Sequence, residues 1–595
     1  MQNEFEALDT ETTGLDPYRG ARIFAWSTCD EIGNIQISRY DTHKNSRLQL
    51  QQKLNDVNTI TVSHNMHFDK AMCMVDGYNI PESKLWYCSL LAHQIIYNLE
   101  PSNSVKDLAY KYGSYPQDDD LPVKQAARIY GSYDKIPKRL MDKYQGPDAE
   151  RCMLMFLTDY PIIQRNPKFM EEYKVELALV DTTIRMERRG MMLCQYETMK
   201  LKNWLESELK NIEIDSLLKI NHPVNLNSPK QVINLLYEEL GWPVLNMNDS
   251  GLAPSTDKDT LEALRNSSVE AGMDQNAVDI LDLILKQRSY TAGLGMINSY
   301  LLAADDNDII CPHINTCQAR TSRESSENPN MQNIRKEKAL KTRYPVPARK
   351  CFRARPGYIL VLRDHSGIEM TLAVQATKSS RLIHLLEEKF DFHDACAISF
   401  YGKRYLQAGK EMKAMLRSAA KNGRFAMLYG AGLKVLAVTL GLTIEQAKAG
   451  YDRDKKEYPE FYAMMDDCIH EVDQHGYVET FFGRRLFVNR KKAYTATDYK
   501  IQGSAAGLFK RDQIRIDKYF KDYWCDEIAI WLPVHDEIIF EMPRKYLKYL
   551  DNEILPATTK MMTEFSEITV PLRVGTKIAT YTWAMAKEYL GETTN

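Results

Sequence analysis

Two aspartates close two apolar runs that lie far apart in the chain: Asp364 at the end of GYILVLRDH, and Asp536 within IAIWLPVHDEIIFEM. A buried strand does not deliver an unpaired carboxylate without cost, because moving a charge out of water is unfavourable unless a counter-ion meets it. Each aspartate alone could simply cap a turn. Together they can hold divalent cations roughly 3.5–4 Å apart, one activating a hydroxyl and one stabilising the leaving oxygen of an in-line phosphoryl transfer. Mg2+ suits such a sparse set, since substrate phosphates complete its octahedron. A third segment, RSAAKNGRFAMLYG, places Arg417, Lys421, Phe425 and Tyr429 at four-residue intervals before stopping at Gly430. Residues four apart lie on one helical face. That face offers charge to a polyanion and rings to a flat base, so a nucleoside triphosphate would use both halves. A solvated edge running into a core stripe produces the same pattern.

The N-terminus repeats the carboxylate logic. LDTETTGLD puts Asp9 and Glu11 on one face of a strand, where alternate residues point the same way. Like charges so close repel unless a metal bridges them. SHNMHFD adds Asp69, and YQGPD adds Tyr144 and Asp148. Four carboxylates could hold two metal ions while the tyrosine orients an attacking water. A D-x-E alone says little; D-x-E, N-x-x-x-D and Y-x-x-x-D in this order, within 150 residues, is far more specific.

Positioning these groups takes several domains, and 595 residues provide them. Apolar content of 44% and charged content of 26% are those of a globular protein. A net charge of −3 argues against coating nucleic acid by charge alone but leaves room for a local basic cleft. The 11 cysteines form no CxxC pair, which argues against zinc or a disulfide framework and suits a reducing cytosol. No signal peptide and no long apolar span are visible, so a cytoplasmic protein without membrane attachment is expected. Residues 1–170 mix short β-rich runs with helices and read as an α/β domain, ending near RNPKF, where Asn-Pro disfavours continued helix. Helical sequence follows to about Leu302, then the strand carrying Asp364, a helical stretch, and one further strand carrying Asp536.

In sum these segments resemble the family A DNA polymerases. Asp9, Glu11, Asp69, Tyr144 and Asp148 look like the motifs of that family's proofreading 3′–5′ exonuclease, and VNLNSPKQV resembles its thumb signature. RTSRESSENPNMQNI resembles that family's T-G-R-L-S-S-x-x-P-N-L-Q-N-I segment, which implies that Arg323 reads the primer end from the minor groove. DHSGIE resembles motif A, with Asp364 as metal ligand and Glu369 as a gate against the ribose 2′-hydroxyl. DFH implies that His393 contacts the triphosphate. The Arg417–Gly430 segment is similar to motif B: Arg417 and Lys421 would grip phosphates, Lys421 would protonate the leaving pyrophosphate, Phe425 would stack near sugar and base, and Tyr429 would guard the nascent pair. QGSAA places Gln502 at the template or primer minor groove. VHDE resembles motif C, with His535 near the primer and Asp536 as the second metal ligand.

The resemblance implies an RNase H-like α/β exonuclease domain (1–170) followed by an α+β right hand. Its parts are thumb and palm entry (171–310), palm with motif A (311–372), fingers with motif B (373–490) and palm with motif C (491–595). It implies two Mg2+ per site, with Mn2+ able to substitute, and primer-template DNA and dNTPs as partners of a monomer. Replisome proteins (helicase, primase, single-strand-binding protein, processivity factor) are possible further partners that the sequence does not identify. No room is seen before Asp9 for a 5′-nuclease domain, and the D-x-S-G-x-E form of motif A suggests a phage replicase. Several positions depart from the family pattern: Arg363 before Asp364, His365 after it, Ser322 and Glu324 beside Arg323, and Asp498 four before Gln502. Gly423, in mid-helix, should cost about 1 kcal/mol relative to Ala and ease movement of the fingers helix. Basic RKEKALKTRYPVPARK, Arg335 to Lys350, reads either as a DNA-backbone contact or as a solvated surface. An exonuclease with a degenerate second half would have lost Asp364, Lys421 or Asp536, and a purely structural DNA binder needs no second carboxylate set. Glu369 argues against ribonucleotide use.

Overall fold

Strand β1 (Glu4–Thr12) buries Ala7, Leu8, Thr10 and Glu11, so the sheet it enters carries acidic side chains into its interior edge. It pairs antiparallel with β2 (Ile23–Asp30) and parallel with β4 (Thr59–Ser63). With β3 (Ile35–Arg39) and β5 (Trp86–Cys88) the sheet order is β3-β2-β1-β4-β5. Helix α1 (Met66–Val75) carries Asp69, and helix α2 (Lys138–Arg165) carries Tyr144 and Asp148 across β1 and β2. In this computed structural model residues 4–113, 115–116, 120–248, 250–270, 274–334 and 344–591 are described.

Asn166 separates α2 from α3 (Pro167–Arg189). Its side chain accepts from the Lys168 and Phe169 amides, and Pro167 opens the new helix, where its missing N–H costs nothing. The break lies inside the structure rather than in a linker. Phe169, Tyr173, Val180 and Ile184 of α3 pack in the N-terminal core. Glu176 on the same helix pairs with Lys510 at 2.5 Å, and with Arg484.

The second half is built on a five-stranded sheet. β6 (Tyr358–His365) lies between β8 (Glu537–Pro543) and β9 (Val574–Ala579), in the order β7-β8-β6-β9-β10, with β7 at Ala529–Val534 and β10 at Lys587–Glu588. IAIWLPVHDEIIFEM, expected as one strand, is two: β7 and β8 fold back antiparallel over His535 and Asp536. The turn is made by His535 at φ +60°, a left-handed conformation reached without glycine. One face of the sheet packs Leu360, Trp531, Leu532 and Ile539 against Phe352 and Trp583. The other packs Val361, Ile530 and Phe540 against Phe509, Ile516 and Phe520 of a long helix, α8 (Ala496–Trp524).

Helical lobes flank this sheet. One is the antiparallel pair Gln195–Ile220 and Gln275–Ala303. The other contains α4 (Ile368–Thr377), α5 (Phe392–Tyr401), α6 (Lys410–Leu428) and α7 (Leu433–Leu440), with Phe400, Leu416, Ala420, Met427, Leu436 and Leu440 in its core. Among the described residues no helix is long and apolar enough to cross a membrane.

Two candidate carboxylate sites

β6 pairs with β8 so that Asp364 faces Glu537, and the His365 amide donates to the Asp536 carbonyl at 3.1 Å. Two strand ends thus bring the aspartates to one rim. They open on a cavity of about 540 Å³ that Glu369, Lys421, Phe425, Arg323 and His535 also line. Arg323 donates to Glu369 at 2.6 Å. Lys577 on β9 stands 3.5 Å from Asp364 and 4.0 Å from Glu537, while Arg349 lies 3.8 Å from Glu537 and 4.0 Å above the Trp583 ring. Anion and cation are interleaved here.

The four-residue stripe on α6 divides. Lys421 and Phe425 reach the cavity, while Arg417 and Tyr429 are not among the residues lining it. Steps of four residues drift against a 3.6-residue turn, so the outer members rotate away. Arg417 is held by Asp391 and lies 3.0 Å from Asp394. Tyr429 caps the helix and stacks on Phe425, ring centroids 6.0 Å apart. Burial, with Glu369 and Asp498 nearby, pushes its hydroxyl pKa up. His393 packs edge-on with Phe425, ring centroids 5.6 Å apart, and burial together with Lys421 pulls its pKa down to about 4. Gln502 is half-buried on α8, four residues before the cavity-lining Ala506.

The departures from the family pattern have local partners. Arg363 turns to Thr559 on a helix at Leu555–Thr563, and burial lowers its pKa to about 10. His365 pairs with Asp512 at 2.7 Å, where burial raises the aspartate to about 6. Ser322, at φ +64°, accepts from Lys510 at 3.0 Å. Glu324 accepts from Gln513 at 2.6 Å and is pushed up to about 7 by burial. Asp498 rises to about 6 through burial, opposed by Arg323 and reinforced by Glu369. Near neutral pH it stays mainly a carboxylate, and the nearby Arg323 offsets part of its charge.

In the N-terminal domain, oxygens of Asp9, Glu11 and Asp148 lie within 4.8 Å of one another. Asp69 stands beside this trio, its carboxylate accepting from the Thr10 amide at 3.3 Å and hydroxyl at 2.7 Å. Asp148 accepts from Arg151 at 2.6 Å. Burial, then Glu11 and Asp148, hold Asp9 well above the usual carboxylate range. Burial and Asp148 push Glu11 up to about 8, and burial pushes Asp69 up to about 7. Tyr144 is raised as well, by burial and then by Glu11. A buried Glu11 oxygen has no hydrogen-bond partner. Both observations fit a cation among these groups, because deprotonation and charge neutralisation would then come together.

Sequence reasoning missed several cations. Lys106 lies 3.6 Å from Asp148, donates to Tyr144 at 3.2 Å and sits 4.4 Å above the tyrosine ring. No motif marks it, nor Lys577. Lys510 was within reach, since Gln502, Ala506 and Lys510 repeat every four residues on α8. Of the basic stretch, residues 335–343 lie outside the described residues. Arg349 within it is buried against Trp583, not spread on the surface.

The sequence model described as DNA polymerase family A matches residues 195–585. The thermostable DNA polymerase I of Thermus thermophilus is 28% identical over 497 residues, covering 80% of this chain and 56% of that protein. The DNA polymerase I of Borreliella burgdorferi is 26% identical over 588 residues, covering 96% and 61%. The chain therefore spans a little over half the length of these curated relatives. Among solved structures, the POL domain of Pol1 from M. smegmatis, in complex with DNA primer-template and dNTP, superposes with a TM-score of 0.80. It shares 21% identity and the match covers 98% of this chain and 96% of that one. The fold is an RNase H-like α/β N-terminal domain joined to a right-hand polymerase domain of palm, fingers and thumb. The chain belongs to DNA polymerase family A.

Proposed function

We propose that the chain extends a DNA primer on a template strand by adding dNTPs, and that its N-terminal site removes mispaired 3′ ends. The observation that carries the reading is the shared cavity of Asp364, Asp536, Lys421, Phe425 and Glu369. Metal binding would fall to Asp364 and Asp536 in the palm, and to Asp9, Glu11, Asp148 and Asp69 in the N-terminal domain. Mg2+, or Mn2+ in its place, would there neutralise charge on the attacking and leaving oxygens.

The chain's own groups do the positioning. Lys421 binds the triphosphate and carries the proton for the leaving pyrophosphate, a general-acid role. Phe425 packs against sugar and base, and Glu369, fixed by Arg323, fills the space a 2′-hydroxyl needs. Arg417 joins the triphosphate by leaving Asp391 and Asp394, and His393, kept neutral by burial, donates a hydrogen bond rather than a charge. Tyr429 guards the nascent pair, Arg323 and Gln502 follow the minor groove, and His535 meets the primer end. At the N-terminal site Tyr144 orients the attacking water, with Lys106 holding its hydroxyl. Grip on the duplex comes from backbone contacts and weakens with salt. The form of motif A supports a phage-type replicative enzyme, and the chain is read as a monomer.

A 5′-labelled primer on a longer DNA template tests both activities. With Mg2+ and dNTPs the primer should lengthen; with Mg2+ alone it should shorten. Shortening under both conditions would leave an exonuclease whose second half only binds DNA.

A further inference from the structure

A second titratable cluster lies away from both carboxylate sites. His67 is two residues before Asp69 on α1, yet it turns from β1 toward α3, where its Nε2 lies 3.2 Å from Glu187 Oε1. His313, on the short strand His313–Asn315, places Nδ1 3.1 Å from the same oxygen. The two imidazoles meet edge to face, 4.8 Å between centroids. Candidate ligand atoms of all three residues lie within 4.8 Å of one another.

One observation separates this cluster from an ordinary ion pair. His67 is 8% exposed, and its Nε2 is buried without a hydrogen-bond partner, so the 3.2 Å contact to Glu187 lies outside hydrogen-bond geometry. The separations of 3.1 and 3.2 Å are also close to those of neighbouring ligands on a tetrahedral ion, about 3.3 Å for bonds of 2.0–2.1 Å. Glu187 is held in place by the Ile314 amide at 2.7 Å. All three residues border a cavity of about 820 Å³, which leaves a further coordination position open. Two imidazoles and one carboxylate favour a borderline transition ion over Mg2+ or Ca2+, which prefer all-oxygen sets.

We propose that His67, Glu187 and His313 bind a divalent ion of the Zn2+ class that ties the N-terminal domain, through α3, to the strand entering the palm. The inference is independent of the activities proposed above.

The test uses the full chain carrying Asp9→Asn and Asp148→Asn, so that the carboxylate trio cannot contribute, stripped of metal and kept in excess Mg2+. Titration with Co2+ should give one equivalent of a visible d–d spectrum that Zn2+ displaces. Zn2+ should also raise the Tm. His313→Ala, at a partly exposed position, should abolish both effects, and Glu187→Gln, which keeps the acceptor for Ile314, should weaken binding at least tenfold. X-ray absorption of the zinc-loaded parent should show two imidazole ligands, a readout that needs no further substitution. A Co2+ spectrum of the hydrated ion alone, binding unchanged in His313→Ala, or a zinc environment without imidazole would each overturn the proposal and leave an ion pair.

Discussion

The two carboxylate sites solve the same electrostatic problem in opposite ways. In the N-terminal domain three acids crowd within 4.8 Å on one strand and one helix of a single core, with Lys106 3.6 Å from Asp148. Burial and mutual repulsion raise the pKa values of Asp9 and Glu11. At the second site the two aspartates sit at strand ends among Lys577, Lys421 and Arg323, and helix α6 supplies part of that charge from another core. A crowded acid cluster suits a cation first, and in the function proposed above a single strand end follows it. A mixed site accommodates a polyanion whose own charge completes it. The difference teaches that carboxylate count alone does not describe a site; burial and the balance of neighbouring charges decide how its acids titrate.

The largest expected effect separates the sites outright. Asp536→Ala should lower primer extension by on the order of 10³-fold, the scale on which losing a charge-stabilising group slows phosphoryl transfer, while shortening of single-stranded primer persists. Asp9→Ala should do the reverse. Single-turnover assays of both reactions on both variants decide the matter. If either substitution silenced both reactions, the sites would not be independent and the comparison would fail.

A pH experiment sharpens it. Glu11 moves from 4.5 to about 8 and Asp69 from 3.8 to about 7 on folding. The metal-free folded chain therefore binds protons that the unfolded chain has released. Stability falls as pH rises between the ordinary carboxylate range and about 8. Mg2+ takes the place of those protons, so its stabilising effect should be greater at pH 8 than at pH 6. Thermal melts in EDTA and in Mg2+ at the two pH values measure this. Glu324, Asp498 and Asp512 have the same sign, so the decisive quantity is the difference from Asp148→Asn, in which the slope should flatten by a few degrees. An EDTA melt that rises from pH 6 to 8 would contradict the crowded-acid account.

Much of this was legible because short-range patterns carry it. Alternation in LDTETTG places Asp9 and Glu11 on one face, and the four-residue repeat puts Lys421 and Phe425 on one helix side, as the structure has them. What escaped depends on long-range pairing. The fold-back at His535 has no glycine or asparagine to announce it. Arg417 is engaged by Asp391 and Asp394, on a separate helical segment. Lys577 reaches Asp364 only because β9 pairs with β6. His67, Glu187 and His313 come together only when α1, α3 and a later strand meet. Spacing arguments work within an element; they are silent on which elements become neighbours.

The smallest expected effect concerns how the fingers helix is held, which has no counterpart at the N-terminal site. Gly423 was expected to loosen α6; the structure gives it a packing reason. A Cβ there would lie 2.7 Å from Leu440 Cδ2 and 3.2 Å from its Cγ, so the glycine lets α6 and α7 approach closely. Leu440 is buried, leaving its side chain little room to yield. Gly423→Ala gains about 1 kcal/mol of helix propensity and meets an overpacking cost of about 1–3 kcal/mol. A net loss of about 1 kcal/mol is expected in denaturant unfolding, with the N-terminal reaction unchanged and extension reduced wherever α6 must sit correctly to present Lys421. If Gly423→Ala instead stabilised the chain, the α6–α7 contact would be slack, glycine would serve flexibility after all, and the contrast between a fixed acid cluster and a site completed by a closely packed helix would lose its structural basis.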